Sequence, residues 1–221
     1  MNKYLFKYEK TGNARFIGHL DLLRAFGRAV SRAGLPIAYS EGFNPHRLVS
    51  FALPLPVGMS GLGEIAALRM AEPVEPRECA GALNACLPEG LRVLAGREMP
   101  REEKEPAALV RFADFRADFA DFSVLESVER AVGAVLAANS LLLERESKKG
   151  VLSFEARQDI YDIYAKGSSV FARVSQGSAV NLRFDALIAR VCRDAGAEPD
   201  KIKCARLALY KEADGGAEEI F

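Results

Sequence analysis

Glycine and proline cut residues 1–100 into six stretches, and the order of those stretches limits the folds open to this chain. Residues 3–10 read as a strand. Gly18 to Ala33 reads as a helix that stops at Gly34, with Pro36 beyond it, a common form of helix exit. Two β-rich runs follow, Leu48 to Leu55 and Glu64 to Ala71. Pro76 then opens a helical stretch through Leu87 that ends near Pro88-Glu89-Gly90, and Leu91 to Arg97 is a further strand. The order βαββαβ predicts a ferredoxin-like, or split βαβ, arrangement in which four antiparallel strands carry two helices on one face.

Pro100-Arg-Glu-Glu-Lys-Glu-Pro106 is charged, bounded by prolines and free of apolar residues, so it reads as a linker. A second cycle starts after it. Ala107 to Phe119 reads as a strand, and Ser123-Val-Leu-Glu126 is a capping-box signature for a helix ending near Asn139. Leu141 to Glu146 and Val151 to Ala156 read as a hairpin around Ser147-Lys148-Lys149-Gly150. Ser169 to Val174 adds a strand, Asn181 to Ala195 a helix stopping at Gly196, and Ile202 to Tyr210 a final strand. The expected fold class is α+β, two tandem ferredoxin-like domains with antiparallel sheets, spanning residues 1–100 and 107–221.

A chain of 221 residues that is 49% hydrophobic and 27% charged has the composition of an ordinary globular protein, not of a disordered one. No apolar run approaches the roughly 20 residues that cross a bilayer, and the opening residues lack a secretory signal, so a cytoplasmic protein without membrane contact is expected. Cys79, Cys86, Cys192 and Cys204 have no C-x-x-C spacing and read as buried thiols. The chain has no G-x-G-x-x-G after a strand and no G-x-x-x-x-G-K-[ST]. Gly58-Met-Ser-Gly61-Leu-Gly63 reads as a turn between strands rather than a phosphate cradle. Two histidines and scattered cysteines supply neither a zinc set nor an iron–sulfur centre, so no cofactor or metal of its own is expected.

Thirty basic side chains balance thirty acidic ones, yet the charge is not spread evenly. Residues 1–60 hold eight Lys and Arg against three acids, a surplus that suits an anionic partner such as nucleic acid. At about 100° per residue, Arg24, Arg28 and Arg32 share one sector of the first helix with Asp21, opposite Leu23, Phe26 and Val30. The guanidinium row suits phosphate oxygens, with a solvated helix face as the plain alternative. Arg15 precedes the helix, and Arg47 follows the loop Tyr39-Ser-Glu-Gly-Phe-Asn-Pro-His46, which offers Tyr39, Phe43 and Asn44 for contact with a base or partner. Lys148 and Lys149 extend the basic set. His19 and His46 fall in the same segments. With Asp21 or Glu41 nearby they are candidates for acid–base work on a ribose hydroxyl and a phosphate, although the helical position of His19 and the proline before His46 favour structural roles.

The run Arg15-Phe-Ile-Gly-His-Leu-Asp21, then Arg24, Arg28 and Arg32, then Ala33-Gly-Leu-Pro-Ile-Ala-Tyr-Ser40 and Gly42-Phe-Asn-Pro-His46, closely resembles the bacterial radical SAM-linked protein family. Ser50-Phe-Ala-Leu-Pro-Leu-Pro-Val-Gly58 and Glu64 continue the likeness, Arg145 with Lys148-Lys149-Gly150 resembles its basic hairpin, and the Arg206 strand resembles its end. The chain departs from the family pattern at Gly18, where serine is usual, and at Arg47-Leu48, where proline and lysine are usual. The resemblance implies a cobalamin-binding radical SAM protein as partner, encoded beside or fused to such members, but no reaction of the chain itself. The expected architecture is also similar to that of the tandem ferredoxin-like CRISPR repeat-processing endoribonucleases, without their C-terminal glycine-rich loop, and fold analogy alone carries no activity. The function expected is therefore an RNA-binding or substrate-presenting accessory module for RNA modification, with no chemistry of its own. The alternatives are a metal-independent endoribonuclease using His19 or His46, and a protein–protein adaptor.

Overall fold

A computed structural model describes residues 2–147, 150–214 and 216–221. It is mixed α+β, with five helices among the described residues and a mostly antiparallel sheet. The chain divides into two compact units, Met1–Val110 with Ala208–Phe221, and Arg111–Leu207. The last fourteen residues thus group with the first unit, whereas the sequence reading drew residues 107–221 as one domain. No described helix is long and apolar enough to cross a membrane.

The first unit begins with β1 (Asn2–Lys10), a 3-10 turn (Gly12–Phe16) and α1 (His19–Arg32). It continues with β2 (Val49–Phe51), β3 (Ser60–Met70), α2 (Pro76–Asn84), β4 (Leu91–Glu98) and the short α3 (Pro106–Leu109). β1 is central, antiparallel to β3 on one side and β4 on the other, and β2 pairs antiparallel with β3. Alternation along β1 sends Tyr4, Phe6 and Tyr8 into the core. There α1 meets them with Leu22, Ala25, Phe26, Ala29 and Val30. The rings of Tyr8 and Phe26 lie 5.1 Å apart, and Phe51 closes the cluster at 5.2 Å from Phe26. Burial of such a ring or branched side chain contributes about 1.5–3 kcal/mol, so this face fixes the helix on the strand.

The same alternation carries Lys10 inward, where it is 1% exposed. Its Nζ donates to the Ile17 carbonyl at 2.8 Å and to the Arg15 carbonyl at 3.3 Å, tying the turn before α1 to the end of β1. Gly90 holds the other side of that turn, accepting from Thr11 N at 2.7 Å. With φ of +82° and a position where any Cβ would sit 2.5 Å from the Thr11 carbonyl, Gly90 admits no side chain.

The stretch 100–106, expected as an untethered linker, is tied down. Arg97 grips Glu103 with two bonds of 2.8 and 2.6 Å, Glu105 pairs with Lys3 and Arg69, and Pro106 is buried. Arg97 also donates to the Ile220 carbonyl and lies over the Phe221 ring, so one guanidinium anchors both this stretch and the chain terminus.

The second unit contains β5 (Phe112–Asp118), α4 (Leu125–Ala137), the hairpin β6 (Leu142–Ser147) and β7 (Gly150–Glu155), then β8 (Ile160–Lys166), β9 (Ser169–Ser175) and α5 (Phe184–Ala195). The chain ends with β10 (Lys203–Ala213) and β11 (Gly216–Glu219), and the boundary between the units falls inside β10. β9 pairs antiparallel with β5 and β8, while β6 and β7 form a sheet of their own. Ala113, Phe115, Ala117, Val170, Ala172 and Val174 are buried, and Phe115 stacks on Phe184 of α5 at 4.6 Å. Asp121 caps the 3-10 turn Phe122–Val124 that leads into α4, accepting from Ser123 N, while Val124 stands at the N-cap of α4 with no side-chain bond, so Ser123 is not the cap of α4. Burial holds Cys79 and Cys192 as thiols, pushed up to about 12 and about 11.

Glu155 closes the base of the β6–β7 hairpin. Its carboxylate accepts from the backbone N–H groups of Leu141, Ala156 and Arg157 and from the Ser140 hydroxyl. Those bonds, the one from Leu141 foremost, lower the group from an ordinary 4.5 to about 2. Because the folded value is depressed, this contribution to stability is present above pH 4.5 and fades as pH falls toward 2. A carboxyl NMR titration of Glu155 should show a midpoint near 2, and a midpoint above 4 would disprove the bonding described. Lys10→Met should cost about 3 kcal/mol in urea unfolding, because the Ile17 carbonyl loses its Lys10 donor, the Arg15 carbonyl loses one of two, and a buried charge loses its place. A loss below about 0.5 kcal/mol would show that water replaces the ammonium.

Candidate functional site

Helix α1 forms where the apolar residues recur at helical spacing, and it ends as Gly34 enters the left-handed region at φ of +64°. Its buried stripe leaves Asp21, Arg24, Arg28 and Arg32 on the solvent side. The row is therefore one continuous face, but its members differ in freedom. Arg24 pairs with Asp21 at 2.9 Å in a largely solvated bridge, which is worth little and restrains the side chain weakly. Arg32 donates to the Cys86 carbonyl at 2.5 Å and is held back toward α2. Arg28 is exposed.

Arg15 and Arg47 are only half-exposed. The Arg15 guanidinium lies 4.6 Å from the Phe16 ring centre, and its carbonyl receives Lys10 Nζ and Gly58 N. The Arg47 guanidinium lies 5.7 Å from the Tyr39 ring centre, and its stem crosses α1 at Gly27, where a Cβ would stand 3.7 Å from Arg47 Cδ. In both residues Nε is buried without a hydrogen-bond partner. A buried donor left unmade costs about 1–3 kcal/mol, and a cationic donor more, so an acceptor brought to these forks would recover that cost.

The loop from Tyr39 to Arg47 is closed as a narrow hairpin. Tyr39 and Arg47 form an antiparallel bridge, Ser40 N donates to the His46 carbonyl at 2.9 Å, and Leu48 N donates to the Ala38 carbonyl at 2.9 Å. Ser40 Oγ accepts from His46 N at 3.1 Å and bonds His46 Nδ1 at 2.8 Å, so one hydroxyl fixes both the backbone and the ring of His46. Residues 41–46 are exposed, and Phe43 at the tip carries no packing at all. Asn44 is exposed beside it.

The structure thus brings Arg47 against α1 and sets Tyr39 beneath its guanidinium. The two histidines have separate partners: His19 packs edge-on against Phe51 with ring centres 5.7 Å apart, and His46 bonds Ser40. Lys148 and Lys149 lie outside the described residues. Arg206, on the strand included in the family resemblance, is 1% exposed and belongs to the interior. Among the described residues no cluster of three His, Cys, Asp or Glu is spaced to hold a metal ion. The sequence reading missed Lys10, Gly27 and Ser40, which position the arginines and the loop without touching a ligand. Only Lys10 left a signal, as a charged residue at an inward position of an alternating strand.

Ser40→Ala removes both bonds to His46. Protease cleavage within residues 41–45 should accelerate while global stability falls by about 1 kcal/mol. Unchanged cleavage kinetics would show that the Tyr39–Arg47 bridge alone holds the loop.

No curated protein matches the chain. A family model does, over residues 3–184, and it takes in every described residue of the arginine face and loop as well as most of the second unit. On that match the chain belongs to the family of uncharacterized proteins conserved in bacteria, DUF2344.

Proposed function

We propose that this chain is a non-catalytic RNA-binding or substrate-presenting module that serves a cobalamin-binding radical SAM enzyme. The observation that carries the reading is the pair of half-buried arginines, Arg15 and Arg47, whose Nε atoms lack partners within reach of an exposed arginine face. Phosphate oxygens satisfy planar guanidinium forks in two-bond geometry, and a row of exposed arginines follows a phosphodiester backbone as separate groups do not. Tyr39, Phe43 and Asn44 supply one ring under Arg47 and two free groups at the loop tip for a base or for the enzyme. The partner class comes from the family resemblance, and RNA from the chemistry of the face.

Both units are read as ferredoxin-like domains. In support, the first strand of each cycle is central: β1 lies between β3 and β4, and β5 lies between β9 and β10. The β6–β7 hairpin is then an insertion in the second cycle. The partners of His19 and His46 are a phenyl ring and a serine, an arrangement that favours binding or structural roles over acid–base work.

Electrophoretic binding to single-stranded RNA should weaken steeply with salt. Reversal of two phosphate contacts in Arg24→Glu/Arg28→Glu should reduce the slope of log K against log[salt] by about 1.4, at roughly 0.7 per phosphate. An unchanged slope and affinity at low salt would leave the row a solvated helix face. Discrete metal-free cuts in the RNA would replace the module by the endoribonuclease.

A further inference from the structure

The second unit carries an aromatic face that the arginine site does not use. Along β5 and β9 alternate residues face the helices, and the opposite side holds Phe112, Asp114, Arg116 and Asp118 beside Phe171, Arg173 and Ser175. The register sets Tyr164 directly opposite Phe171, and Asp162 and Asp114 on either side of Arg173. Open sheet faces are ordinarily polar, so four rings on one of them call for a reason. Tyr161 and Tyr164 remain 55% and 46% exposed.

The rings are also ordered. Tyr164 and Phe171 are stacked, with centres 5.3 Å apart and planes within 13°. Tyr161 meets Phe112 edge-on at 4.8 Å and takes a bond from the Ser175 hydroxyl. A trough of about 210 Å³ opens between the stacked pair and the ions, lined by Tyr164, Phe171, Asp162, Asp114, Arg173 and Leu207. Arg173 is committed to Asp114 through two bonds of 2.7 Å, and Arg116 to Asp118.

We propose that this trough holds a nucleobase, stacked on the Tyr164–Phe171 pair with its polar edge toward Asp162. The charges select this occupant. The ion pairs Arg173–Asp114 and Arg116–Asp118 leave neither arginine of this face uncommitted for a phosphate, and the stacked rings with the Asp162 carboxylate beside them suit a neutral planar ring that carries a hydrogen-bond donor. The Asp162 carboxylate accepts from an exocyclic amino group, so adenine and cytosine suit it better than uracil. Binding here is insensitive to salt, the reverse of the arginine face. The two sites therefore fail separately.

The test uses the full chain and a single-stranded RNA pentamer with a central 2-aminopurine, whose fluorescence is quenched on stacking. At about 1 M NaCl, where the screening length is about 3 Å, phosphate contacts are suppressed. The parent protein should still quench the probe, and so should Arg24→Glu/Arg28→Glu. Tyr164→Ala should weaken binding at least fivefold, as expected for about 1 kcal/mol or more per stacked base, while Tyr164→Phe retains it. Absence of quenching by the parent, equal binding by Tyr164→Ala, or a loss in Tyr164→Phe as large as in Tyr164→Ala would each overturn the proposal. A loss of low-salt RNA binding in the double arginine variant with quenching intact bears on the arginine face alone.

Discussion

A single buried ammonium organises the first unit. Lys10 ends a strand whose inward positions are otherwise aromatic, and carbonyls from the following turn converge on the charge buried there. The constraint acts in both directions. The ammonium needs those carbonyls, and the turn carrying Arg15 is held at a fixed distance from β1 because the ammonium is there. Gly90 closes the turn from the far side with a contact that no other residue can make. The entry to α1, and with it the angle at which the arginine row meets solvent, follows from these two points.

Two kinds of arginine result. Arg24 and Arg28 are exposed surface groups, Arg24 in a weak bridge to Asp21, whereas Arg15 and Arg47 are partly buried on rings with Nε atoms left without partners. The second kind bears the energetic cost of the unliganded state. The Arg47 stem lies against the helix at Gly27, and the Ser40–His46 closure keeps the loop narrow enough for that approach. The loop residues that look most functional, Phe43 and Asn44, contribute nothing to this framework.

Much of this was written in the order of glycines and prolines. The exit of α1 at Gly34, the opening of α2 at Pro76 and the outward arginine row follow from local rules that tertiary packing leaves unchanged. β8 was not legible, because a bulge between Ile160 and Asp162 breaks its alternation and exposes Tyr161 and Asp162 in succession. β11 is short and nearly without apolar residues. The charged stretch 100–106 looked solvated because composition does not show that Arg97, Lys3 and Arg69 wait for its carboxylates. Neither an orphaned Nε nor a stacked ring pair has a sequence signature.

The division of the chain inside β10 bears on the order in which the protein is made. The second unit, Arg111–Leu207, is contiguous and complete once its own residues have emerged from a ribosome. The first unit is not. It borrows residues 208–221, including Ile220 and Phe221, which meet Arg97, so its last contacts include one between residues 123 positions apart. Such closure is slow because the loop entropy is spent before the contacts form. During synthesis the unit that is second in sequence is therefore the first to be finished, and the arginine-bearing unit matures only once residues 208–221 have followed it.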